Sequence, residues 1–144
     1  MHRKLGLSVP IIVLLAAIAA IRVPLHDLGL VPEGSVFAGL LVFVPLAIWL
    51  VVVLRRQVPN PFLALTVIGL TYGVMLAVIH QLLWTAAFDG SPPRLGGNLE
   101  GALTPGLEAL IVRGFAFFSS LVTGTVLGAI VGAIAWAIQR TRRT

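Results

Sequence analysis

Cysteine is absent from the 144-residue chain, which excludes disulfides, thiolate metal sites, thiol nucleophiles and iron–sulfur ligation. Membrane dithiol redox chemistry goes with them. Charge is nearly as scarce: Asp, Glu, Lys and Arg make up 10% of the residues, against about a quarter in a soluble domain. So few charges cannot clothe a water-facing surface, which rules out a soluble enzyme, a DNA-binding module and a disordered tail. The three histidines, His2, His26 and His80, lie on separate segments, and only two methionines accompany them. That set is too thin for paired haem ligation, so we expect no metal and no cofactor. HExxH, GxSxG, Walker and dinucleotide patterns are all missing. Ser119 and Ser120 have no evident base beside them, and we expect no catalytic residue.

What the chain has in abundance is apolar length. Hydrophobic residues make up 58% and the mean hydropathy is +1.05. A helix needs roughly 20 mostly apolar residues to cross a hydrocarbon core about 30 Å thick, and four such runs are present, over 5–23, 35–54, 61–88 and 111–138. They lack the alternation of an outer-membrane barrel strand. The fold class expected is therefore an all-α integral membrane protein, one domain over 1–144, with four transmembrane helices in an antiparallel bundle. Asn60-Pro61 and Thr104-Pro105 each read as an N-cap followed by a first-turn proline, so the fourth helix is expected to start near Pro105. Pro45 falls mid-span, where the lost backbone hydrogen bond predicts a kink.

Charge position predicts orientation. Arg3 and Lys4, Arg55 and Arg56, then Arg140, Arg142 and Arg143 flank one side, with no acid among them. The other side carries Arg22, Arg94 and Arg113 with all five acids, Asp27, Glu33, Asp89, Glu100 and Glu108. Those faces carry +7 and −2, which together give the net +5. Both termini are expected in the cytoplasm, with the chain multi-pass in a plasma (inner) membrane. The partner implied by the charge is a lipid bilayer and not nucleic acid. A rival reading makes the first run a cleaved signal peptide, on its basic start and the small-residue pattern Ala17-Ile18-Ala19. The second outer segment, 89–110, is the only sizeable loop, rich in turn residues at Asp89-Gly90-Ser91-Pro92-Pro93.

Small residues recur every four positions in two runs, as Gly69, Gly73 and Ala77, and as Ser120, Gly124, Gly128 and Gly132. Lipid gives helices no hydrophobic reason to associate, so close backbone approach and dispersion must do so, and such stripes permit it. At about 100° per residue, Thr66, Gly69, Gly73, Ala77, His80 and Trp84 fall within an arc of about 80°. His80 thus shares the glycine face, with Gln81 at its edge. Arg113 heads the matching stripe on the fourth run. A polar pocket is expected from His80, Gln81 and Arg113, with Arg22 and Glu108 as further candidates, since polar groups at membrane depth are costly and seek partners. Packing glue explains His80 equally well, and arginines near helix ends reach for headgroups. Trp84 and Trp136 suit an aromatic belt.

No Asp or Glu falls inside an expected span, which argues against a proton-driven exporter. The first expectation is a non-catalytic accessory, assembly or scaffold subunit that packs through its glycine stripes against another membrane protein or as a homo-oligomer. The alternative is a small-solute or ion permease with an outward-facing polar vestibule around His80, Gln81 and Arg113. A third reading is a membrane-embedded enzyme with His80 as general base.

Overall fold

The computed structural model describes residues 5–32 and 34–142. His2, Arg3, Lys4 and Arg143 of the basic flanks, and Glu33 among the acids, lie outside the described residues. The described chain is helical, without a strand, as α1 (Val9–Ala20), α2 (Arg22–Asp27), α3 (Val36–Arg55), α4 (Pro61–Leu82), α5 (Trp84–Ala87) and α6 (Pro105–Thr141). Four stretches are long and apolar enough to cross a membrane: Val9–Asp27, Val36–Arg55, Pro61–Leu82 and Pro105–Thr141. That is compatible with a multi-pass membrane protein.

Local chemistry sets the helix limits. Ser35 Oγ accepts the Ala38 N–H at 3.1 Å and Asn60 Oδ1 accepts the Leu63 N–H at 3.0 Å, each satisfying a donor that a helix start leaves unpaired. Pro61 and Pro105 open α4 and α6, where a proline has no N–H to miss. With 37 residues, α6 is about 55 Å long and must project beyond a hydrocarbon core of about 30 Å. Pro45 lies inside α3 and the helix runs through it.

The first membrane-length stretch differs from the sequence expectation. The expected span stops at Val23 before Pro24, whereas the helical path resumes after Ile21 and continues to Asp27. Pro24 is the third residue of α2, still in its first turn, so it removes no hydrogen bond that a helix would make there. This carries an acid to the end of a membrane-length stretch. The third stretch also ends earlier than expected, at Leu82, with a break at Leu83 before the short α5.

Helices α4 and α6 form the most extensive helix contact. A Cβ added to Gly69 would meet the Gly124 carbonyl oxygen and, at 2.6 Å, Gly128 Cα. One on Gly73 would meet the Ser120 carbonyl oxygen at 2.9 Å, and one on Gly132 the Phe62 carbonyl oxygen at 2.9 Å. Residue numbers rise on one helix as they fall on the other, so the two run in opposite directions along a backbone-to-backbone seam. Ala77 and Ser120 are buried in line with it. Several hydroxyls on these helices bond within their own turns, Ser120 to the Ala116 carbonyl at 2.8 Å and Thr66 to that of Phe62 at 2.8 Å, which satisfies them in an apolar setting.

Helix α4 also packs against α1. Trp49 of α3 is fully buried and its Nε1–H donates to the Leu15 carbonyl at 2.7 Å, while its ring meets Tyr72 edge-on at 6.0 Å. Most of α3 otherwise stands away, exposing Val36, Phe37, Leu40, Phe43 and Val44.

The seam makes a paired prediction. Gly69→Ala or Gly124→Ala forces the backbones apart and should lower stability by about 1–3 kcal/mol, as overpacking does. Gly114→Ala, on α6 with nothing within 4 Å of its added Cβ, should be neutral or slightly stabilising on helix propensity. Unfolding midpoints of the three variants in one mild detergent check this; equal shifts at Gly69 and Gly114 would remove the seam from the account.

Candidate functional site

Asp27 closes α2 with its side chain 3% exposed. A carboxylate taken from water needs partners, and His80 of α4 supplies one: His80 Nδ1 lies 2.7 Å from Asp27 Oδ2. A carboxylate oxygen accepts in such a contact, with His80 Nδ1–H as the donor. His26 Nδ1 faces the other oxygen at 3.4 Å, a much weaker contact. An acid and two imidazoles thus sit where the α2 end meets the last turn of α4.

Beside this cluster lies a cavity of about 680 Å³, within the range of small-molecule sites. Arg22, Asp27 and His80 line it together with Tyr72 and Ser120. Its remaining wall is mostly apolar, with Leu41 and Leu46 from α3, Leu76 from α4, and Phe115 and Leu127 from α6. The cavity exists because α3 stays out of the α4–α6 seam. Arg22 is five residues before Asp27, about 7 Å along a helix. Its Nε is buried without a hydrogen-bond partner. No described acid pairs with its guanidinium, since the ion pairs of Asp27 are with the histidines.

The five residues singled out from sequence do not share one pocket. His80 and Arg22 line the cavity. Gln81 donates from Nε2 to the Arg113 backbone carbonyl at 3.1 Å, which ties α4 to α6 above the glycines. The Arg113 guanidinium lies over the Trp84 ring at 5.1 Å, and neither Gln81 nor Arg113 lines the cavity. Glu108 accepts the Leu95 N–H at 2.8 Å and holds the long loop against the start of α6, at a separate hollow of about 140 Å³. Trp84 is buried beneath Arg113, while Trp136 is exposed with Arg140 over it at 5.3 Å.

Asp27, His26 and Tyr72 are cavity residues that sequence reasoning missed. A signal existed for the first two: continuing the helical spacing past Pro24 puts His26 one turn after Arg22. Ser119 and Ser120 also reach the cavity wall, yet both hydroxyls donate to the Ala116 carbonyl. The pairing of Gln81 with Arg113 sets His80 level with Gly114, so Ser120 lies about 9 Å further along α6. No group of three or more His, Asp or Glu side chains among the described residues is placed to hold a metal ion.

Comparison with protein-family models, curated proteins and solved structures finds no match. The functional reading therefore rests on the geometry above.

A double-mutant cycle tests the central contact. Asp27→Asn and His80→Gln should be non-additive, with a coupling of about 1–3 kcal/mol as for a hydrogen bond to a charged group. Asp27→Asn and Glu108→Gln share no partner and should add. Additivity in the first cycle, read from unfolding midpoints, would mean that the Asp27–His80 contact is not made.

Proposed function

We propose that this chain is a four-span plasma-membrane protein, with its helices in an antiparallel bundle and both termini cytoplasmic, that binds and passes a small solute. The single observation that carries the solute reading is the cavity: about 680 Å³ of space in a chain of this size, mostly apolar, with Arg22, Asp27 and His80 on its wall. Helix packing in lipid depends on contact and dispersion, and a hollow with a mostly apolar wall beside a charged cluster offers a solute both apolar contact and polar partners. Ionisable side chains at membrane depth commonly mark substrate or ion pathways.

Asp27 also changes the balance between the readings. The sequence disfavours proton-coupled transport because no acid falls inside an expected span; Asp27 lies at the end of a membrane-length stretch, hydrogen-bonded to a histidine. A carboxylate–imidazole pair can hold or release a proton beside a bound solute. The charge asymmetry of the flanks supports the orientation, which puts the Asp27–His80 end of the cavity towards the outer side.

A second reading, the accessory or scaffold subunit, is favoured by the exposed apolar face of α3, where Phe37 and Phe43 project. Co-purification of a stoichiometric membrane-protein partner, lost on Phe43→Ser, supports that reading.

The cysteine-free chain allows a direct test of the solute reading. Single cysteines at Ala116 or Thr123, on the cavity wall, should react with a membrane-impermeant thiol reagent added from outside intact cells. Cysteines at Val122 and Val126, on the exposed apolar face of α6, should not. A cysteine at Gln57 should react only after the membrane is opened. Silence at both Ala116 and Thr123 would leave the cavity closed to solutes, and external labelling at Gln57 would reverse the topology.

A further inference from the structure

We propose that the cavity binds a single-chain amphiphile with an anionic headgroup, the head against Arg22 and the chain along the apolar wall. The proposal rests on the solute reading above and names the class of solute.

Arg22 Nε is buried with no hydrogen-bond partner, and a buried guanidinium donor left unpaired is expensive. The one acid on the cavity wall cannot serve it, because Asp27 is engaged by His80 at 2.7 Å and faced by His26 at 3.4 Å. Both Asp27 oxygens face imidazoles and Arg22 Nε is left as a buried donor without an acceptor, a want that the oxygen of an anionic headgroup can meet. The planar fork of arginine suits the two oxygens of a carboxylate or phosphate.

The polar groups of the wall, Asp27, His80, Tyr72 and Ser120 among them, are joined by a larger apolar part that includes Leu46, Leu76, Phe115 and Leu127, and a small inorganic anion would leave that part without a partner. Those apolar side chains match a hydrocarbon chain. Arg22 lies in the first turn of α2, towards the end of its membrane-length stretch, while Leu46 and Leu127 lie well inside α3 and α6. A bound amphiphile would therefore keep the orientation it has in a leaflet, headgroup near the interface and chain towards the midplane. The exposed flank of α3 gives it a sideways route from the bilayer. Tyr72 adds a hydroxyl to the wall below Arg22.

Carboxylate and phosphate-monoester headgroups share this chemistry, and the experiment separates them. The full chain, reconstituted in nanodiscs of a zwitterionic lipid, is titrated with radiolabelled palmitate, with palmitoyl lysophosphatidic acid and with hexadecyltrimethylammonium as a cationic probe of the same chain length. Saturable binding of either anionic probe, at least tenfold tighter than the cation and weakened at least tenfold by Arg22→Gln, supports the assignment. The tighter of the two anions identifies the headgroup. Equal binding of the cation, or an Arg22→Gln variant that binds the anions as the parent does, overturns it. Leu127→Trp fills the chain-binding end and should weaken all three probes. If it weakens none while Arg22→Gln still matters, the cavity is not the site and the solute reading itself fails. Retention of the parent unfolding midpoint by both variants shows that loss of binding is not loss of fold.

Discussion

The close approach of the α4 and α6 backbones is the constraint on which the remaining geometry depends. Glycine at 69, 73, 124 and 128 lets main-chain atoms meet where any side chain would hold them apart, and in lipid that contact is what drives helices together. Once α4 commits its glycine face to α6, a different face of it is left for α1. The Trp49 indole then bridges α3 to Leu15 near Tyr72. A third helix cannot enter the seam, so α3 packs loosely at one end, and the space it fails to fill is the cavity.

The polar residues follow from the same arrangement. His80 lies one turn beyond Ala77 on the seam side of α4, at the level where the glycines stop and the helices begin to part. There the α2 end can reach it, and Asp27 meets its imidazole. Its neighbour Gln81 turns to α6 and holds the Arg113 carbonyl. Adjacent residues on one helix thus divide two tasks, one fastening the seam and one facing the open space. Arg22 is a turn deeper along α2, and its Nε is left without an acceptor beside a mostly apolar wall.

Much of this architecture is written locally and some is not. Four membrane-length apolar runs are legible because composition over about 20 residues decides them, and the starts at Pro61 and Pro105 are legible from the first-turn proline, with a side-chain cap at Asn60 but none at Thr104. The glycine stripes are visible as a period of four, although spacing alone does not say which helix meets which. The Asp27–His80 contact was hidden for a specific reason: Pro24 reads as a stop, yet in the first turn of α2 it stops nothing. Grouping Gln81 and Arg113 with His80 follows from helical arcs, which give a face but not the rotamer that sends Gln81 to a carbonyl. Glu108 was beyond reach, since its partner is a backbone N–H in a loop of turn residues. The cavity has no sequence signature at all, because it records where side chains fail to meet.

The chain joins a close two-helix seam to a cavity beside it, for which we propose a bound solute. The most direct test is native mass spectrometry of the protein extracted with its own membrane lipids, compared with Ala116→Phe, which places a ring in the chamber. The account predicts one small bound species per chain in the parent and none in the variant, with the fold intact in both. A parent that carries no bound species, or a variant that carries the same one, would contradict it.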